Sequence, residues 1–122
     1  MHMIIFKKIH PDEICGFWKF RHVYSTPPIT VGHGAFIPSY TVALYGDYDG
    51  VKRRRWLRLM TALGQAFVFD SADGVLSWFR SDLRMAIARL ARGAMSPRAV
   101  DAEVDGQCRR MDLALSLAGL SG

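Results

Sequence analysis

Cysteine is scarce: Cys15 and Cys108 are the only two, and they form no CxxC pair. Thiols this few and this far apart argue against a disulfide scaffold and for buried, reduced side chains. No HxxH, HExxH or Cys/His cluster occurs, so no metal site is expected. Neither a GxxxxGK phosphate loop nor a GxGxxG turn is present, and no cofactor is expected. Asp47-x-Asp49-Gly50 has the opening of a calcium loop without the closing glutamate, and reads as a turn. A long apolar helix is also lacking. Residues 23–46 hold no Lys, Arg, Asp or Glu, but Pro27, Pro28, Pro38, Gly32 and Gly34 interrupt them, which a lipid-facing helix does not tolerate. The start, MHMIIFKKIH, has only a short apolar run with its lysines behind it, unlike a signal peptide. These absences predict a soluble, cytoplasmic protein with no membrane partner.

What is present suits one ordinary core. Half of the 122 residues are hydrophobic and 22% are charged. That length and composition predict a single domain over 1–122, β-rich over 1–50 and helix-rich over 51–122. Strands are expected at Met3–Ile9, Phe17–Tyr24, Ile29–Val31, Ala35–Ile37, Tyr40–Tyr45 and Gln65–Phe69. In Phe17–Tyr24 the alternation puts Trp18, Phe20, His22 and Tyr24 on a core face, with Lys19 and Arg21 opposite. Helices are expected over residues 51–63, 74–92 and 97–118. The first has Trp56, Leu59, Met60 and Leu63 on its apolar face and Gly64 as its stop. The second repeats Leu76, Phe79, Leu83, Ile87 and Leu90. The third follows a Ser96-Pro97 cap and carries Val100, Val104, Cys108, Met111, Leu115 and Ala118. Strands first and helices after predict an α+β domain, a mostly antiparallel sheet with about three C-terminal helices on one face.

The net charge is +5, and residues 51–98 carry ten basic and three acidic side chains. Arg53, Arg54 and Arg55 fall in the first turn of the first helix and oppose its dipole, and Arg54, Arg55 and Arg58 are expected on its solvent side. Arg80 and Arg84 form a second basic group one turn apart on the next helix. Exposed arginines arranged in this way suit phosphates or an acidic surface, and a solvated face is the plain alternative.

Two apolar features lie off the expected core stripes. Trp78 and Met85 sit about 100° or more from the centre of the stripe of their helix, beside Asp82 and Arg89, and a third layer such as the C-terminal helix is expected to cover them, with a protein interface as the alternative. Leu113 and Leu117, with Leu120, point away from the stripe of the last helix, and either offer a homodimer surface or mark a helix end buried between sheet and helix. Trp, Met and Arg are enriched at protein interfaces. The sequence therefore supports a non-enzymatic binding protein whose basic helical half meets nucleic acid or a nucleic-acid-handling protein. A small protein–protein inhibitor or regulator docking through an apolar helix face is the alternative. A small enzyme using His33 on its Gly32–Gly34 turn, or Cys15, is a third.

Overall fold

Alternating side chains build one layer of the fold and two amphipathic helices build the other. The computed structural model describes residues 18–32, 34–47, 55–61 and 63–120, with backbone only for 18–20, 46, 47 and 55. In chain order the elements are β1 (Trp18–Ser25), β2 (Ile29–Thr30), β3 (Phe36–Ile37), β4 (Thr41–Asp47), β5 (Arg55–Met60), β6 (Ala66–Phe69), α1 (Ala72–Ala91) and α2 (Pro97–Leu117). β1, β4, β5 and β6 form an antiparallel sheet in that spatial order. β2 and β3 form a separate small hairpin. The fold is α+β.

β4 explains the sheet's two faces. Val42 pairs with Leu59 and Leu44 with Leu57, while Ala43 pairs with Arg58 and Tyr45 with Trp56. Because side chains alternate, Val42, Leu57, Leu59, Phe67 and Phe69 face the helices. α1 answers with Val75, Phe79, Leu83 and Ile87, all fully buried, and α2 with Val104, Met111 and Leu115. Ser71 caps α1, accepting a hydrogen bond from the Gly74 N–H at 3.1 Å. Ser96 caps α2 in the same way through the Ala99 N–H, with Pro97 opening the helix. Between β1 and β4 the chain makes an excursion whose base is closed by Thr26 and Tyr40. The Thr26 N–H donates to the Tyr40 carbonyl and the Tyr40 N–H to Thr26 Oγ1, each at 2.9 Å.

The expected helix over 51–63 is overturned. Residues 55–60 form β5, with β4 on one side and β6 on the other. Among the described residues there are therefore two helices, not about three. The segment RWLRLM satisfies both patterns: Trp56, Leu59, Met60 and Leu63 recur at helical spacing, whereas Leu57 and Leu59 alternate with Arg58. Burial chose the second. Leu57 and Leu59 are in the core and Leu63 is 87% exposed. Gly64 lies in the β5–β6 turn at φ +81°.

Two smaller expectations also change. β1 has a bulge between His22 and Tyr24, so these residues do not share one face. His22 is exposed, and Tyr24 packs against the helix-side core. Leu120 is buried, not outward. The chain reverses at Gly119 (φ +78°) and the Leu120 N–H donates to the Leu115 carbonyl at 2.8 Å, which folds Leu120 back under α2. The expected strand Met3–Ile9 lies outside the described residues.

Candidate functional site

The basic residues divide on inspection. Arg53 and Arg54 lie outside the described residues, and Arg55 opens β5. Arg58, expected on an exposed helix face, is a buried strand residue 9% exposed, its guanidinium 5.1 Å from the centre of the Tyr45 ring. Burial raises the Tyr45 phenol above its usual range, with Arg58 pulling the other way. Arg80 and Arg84 are exposed but engaged. Arg80 donates to Asp105 at 2.6 Å and Arg84 donates to Asp101, joining α1 to α2. Asp101 and Asp105 of α2 thus face Arg84 and Arg80 of α1. Arg80 holds the Asp105 carboxyl below its usual range.

The apolar candidates divide as well. Trp78 is half-buried and lies on Phe67, ring centroids 4.4 Å apart, so it covers the edge strand β6. Leu113 and Leu117 are 60% and 81% exposed on α2. Met85 is 59% exposed on α1, and it lines an apolar groove.

That groove has a cavity of about 240 Å³. One wall is α1, through Asp82, Met85, Ala86, Arg89 and Leu90. The β5–β6 turn lines it through Thr61, Leu63 and Gln65, and Ile37, Pro38 and Tyr40 complete the lining. Both walls are held. In the turn, the Thr61 N–H donates to the Gln65 carbonyl at 2.8 Å and the Gln65 N–H to Thr61 Oγ1 at 3.2 Å. Tyr40, part of the lining, is fixed from two directions. Its ring meets Phe79 edge-on at 4.9 Å, and its hydroxyl donates to Asp82 at 2.6 Å. Burial, then the Asp82 hydrogen bond and charge, push the phenol far above its usual range. Asp82 therefore spends its charge on Tyr40, while Arg89, exposed on the same wall, has no ion pair among the described residues.

Sequence reasoning found Met85, with Asp82 and Arg89 beside it, because helical periodicity sets them off the core stripe. It missed Tyr40, Thr61, Leu63 and Gln65. Leu63 was assigned to a helix core, and the Tyr40–Asp82 bond joins residues 42 apart, for which no local pattern exists.

Other chemistry has little to draw on. Cys108 is a free thiol, buried, and burial raises its pKa. Cys15 and His33 lie outside the described residues. No group of three or more His, Cys, Asp or Glu side chains among the described residues could hold a metal ion. No helix among them is long and apolar enough to cross a membrane. No family model, curated protein or solved structure matches the chain.

Proposed function

We propose that this protein is a protein-docking module. Its groove between α1 and the β5–β6 turn takes a segment of a partner that presents one apolar side chain beside a carboxylate. The observation that carries the reading is the groove itself: an apolar slot held open by hydrogen-bonded walls, with exposed Leu63 and Met85 on its rim and Arg89 beside it. A slot of about 240 Å³ is below the usual size of a small-molecule pocket but suits one anchoring side chain, the common core of a protein hot spot. The exposed rim favours a macromolecular partner, because a ligand confined to the slot would leave Leu63 and Met85 in water. Arg89 supplies the charge preference, since a carboxylate beside the anchor would complete an ion pair that Asp82 does not make. A held groove also lowers the ordering cost of binding.

The test is a displayed-peptide selection against the wild type, counter-selected on Met85→Asp. Enriched peptides should carry a large apolar residue next to Asp or Glu. Selection against Arg89→Glu should turn the flanking preference to Lys or Arg. Peptides that bind Met85→Asp as well as the wild type would overturn the assignment, and so would flanks indifferent to the charge at position 89.

The nucleic-acid reading keeps a narrower support. Of its six arginines, Arg58 is buried and Arg80 and Arg84 have acidic partners. It rests on Arg53, Arg54 and Arg55.

A further inference from the structure

The side of α1 turned away from α2 carries opposite charges that do not meet within one chain. Arg80 and Arg84 reach α2. Half a turn around the helix, Asp82, Met85, Ala86 and Arg89 share a second face, and all four line the groove. Asp82 and Arg89 are seven residues apart, two turns or about 10.5 Å along the axis, too far to pair with each other. Arg89 has no ion pair among the described residues. Asp82 gives Oδ2 to the Tyr40 hydroxyl at 2.6 Å. A carboxylate accepts at both oxygens, so Oδ1 is left for a second donor. Between the two charges stands the exposed Met85. This helix therefore presents an apolar side chain beside a carboxylate, which is also what the groove next to it takes.

We infer that the occupant of the groove is α1 of a second copy, the two helices running antiparallel about a two-fold axis. The inference rests on the reading of the groove as a docking site and names its partner. A two-fold interface must be self-complementary. Asp82-x-x-Met85-x-x-x-Arg89 reads acid, apolar, base in one direction and base, apolar, acid in the other. Setting Asp82 of one copy level with Arg89 of the other puts the axis beside the Met85–Ala86 bond, and symmetry then forms two such ion pairs. The two Met85 side chains meet beside the axis on the outer side. The two Ala86 side chains meet on the sheet side, and their small size lets the helices come close. Like charges stay apart by the same two turns that separate Asp82 from Arg89. Arg80 and Arg84 point to α2, and Arg92 comes level with Trp78 of the second copy, an aromatic ring that attracts a cation. An occupant in the groove also covers the exposed Leu63 and Leu90 of its rim.

Sedimentation equilibrium of the full chain over a wide concentration range, with circular dichroism on the same samples, tests the inference. The wild type should associate to a dimer. Arg89→Asp and Asp82→Arg each set like charges against one another across the axis, and each should weaken self-association by at least about tenfold. An equal mixture of the two variants restores both ion pairs in a heterodimer, so association should return, a rescue that a merely structural role for either residue would not produce. Asp82→Arg also removes the acceptor of the Tyr40 hydroxyl, so a second measurement is made without it. In a Cys15→Ser background, Met85→Cys should give a disulfide-linked dimer on mild oxidation, and Leu113→Cys on α2 should not. A wild type that stays monomeric at the highest concentration overturns the inference. So do folded charge variants that fail to associate when mixed, and so does cross-linking through Leu113→Cys as ready as through Met85→Cys. A monomer that binds the selected peptides removes the second copy as the occupant and leaves the groove a docking site; a monomer that binds none of them removes both.

Discussion

Tyr40 shows how one side chain can serve fold and site together. Its backbone closes the excursion between β1 and β4, its ring packs on Phe79, and its hydroxyl satisfies Asp82. Tyr40→Phe keeps the ring and removes the only donor it offers to a carboxylate. The expected cost is about 1.5–3 kcal/mol, the usual range for a hydrogen bond to a charged group, read from urea unfolding at neutral pH. The pH dependence has a defined sign. The folded chain binds the Tyr40 proton more tightly than the unfolded chain does, because burial and Asp82 both raise the phenol. That contribution is full below the ordinary tyrosine value of about 10 and is lost as pH rises beyond it. Wild-type stability should therefore fall in alkali, and Tyr40→Phe should flatten that fall. A variant as stable as the wild type, with an unchanged alkaline slope, would remove the bond from the account.

At the scale of elements, α1 and α2 are joined by two kinds of contact of unequal weight. Phe79, Leu83 and Ile87 of α1 and Val104, Met111 and Leu115 of α2 form a shared apolar layer. The Arg84–Asp101 and Arg80–Asp105 pairs lie outside it, each partner about half exposed. Exposed pairs of this kind contribute little because water and salt screen them. A double-mutant cycle on Arg84 and Asp101 should give a coupling under about 1 kcal/mol that shrinks as salt rises. Phe79→Ala, which opens a cavity under Tyr40, should cost about 3–5 kcal/mol. A large, salt-insensitive coupling would reverse this ranking. For Asp105 the direction alone follows: Arg80 lowers its carboxyl, so that link is present above the ordinary carboxylate range. It is lost as pH falls through the lowered value.

For the whole molecule, the distribution of charge bears on the nucleic-acid proposal. Within the basic excess of residues 51–98, Arg58 is buried and Arg80 and Arg84 meet acids from α2, which takes three arginines out of a free basic surface. Anisotropy titrations against single- and double-stranded DNA and RNA at two salt concentrations should find only weak binding that salt removes. Tight binding that survives physiological salt would return the function to nucleic acid, and Arg54→Gln with Arg55→Gln would then be the first variants to make.

The sequence by itself determined the α+β class, both helices, the Ser96 cap of the second, most of the strands, and the standing of Met85, Leu113 and Leu117 as outward apolar residues. Each of these rests on local periodicity or on a cap within a few residues, which a single chain displays without reference to its partners in space. Only the tertiary structure decided that residues 55–60 are a strand, since RWLRLM fits two periods and the neighbours β4 and β6 select one by pairing its backbone on both edges. It alone placed Asp101 and Asp105 of α2 on Arg84 and Arg80 of α1. It alone brought Thr61, Leu63 and Gln65 opposite Met85 and Arg89, with Tyr40 in the slot they line. A groove is a relation between segments distant along the chain, fixed by how the sheet and helix pack, and no spacing within either segment encodes it.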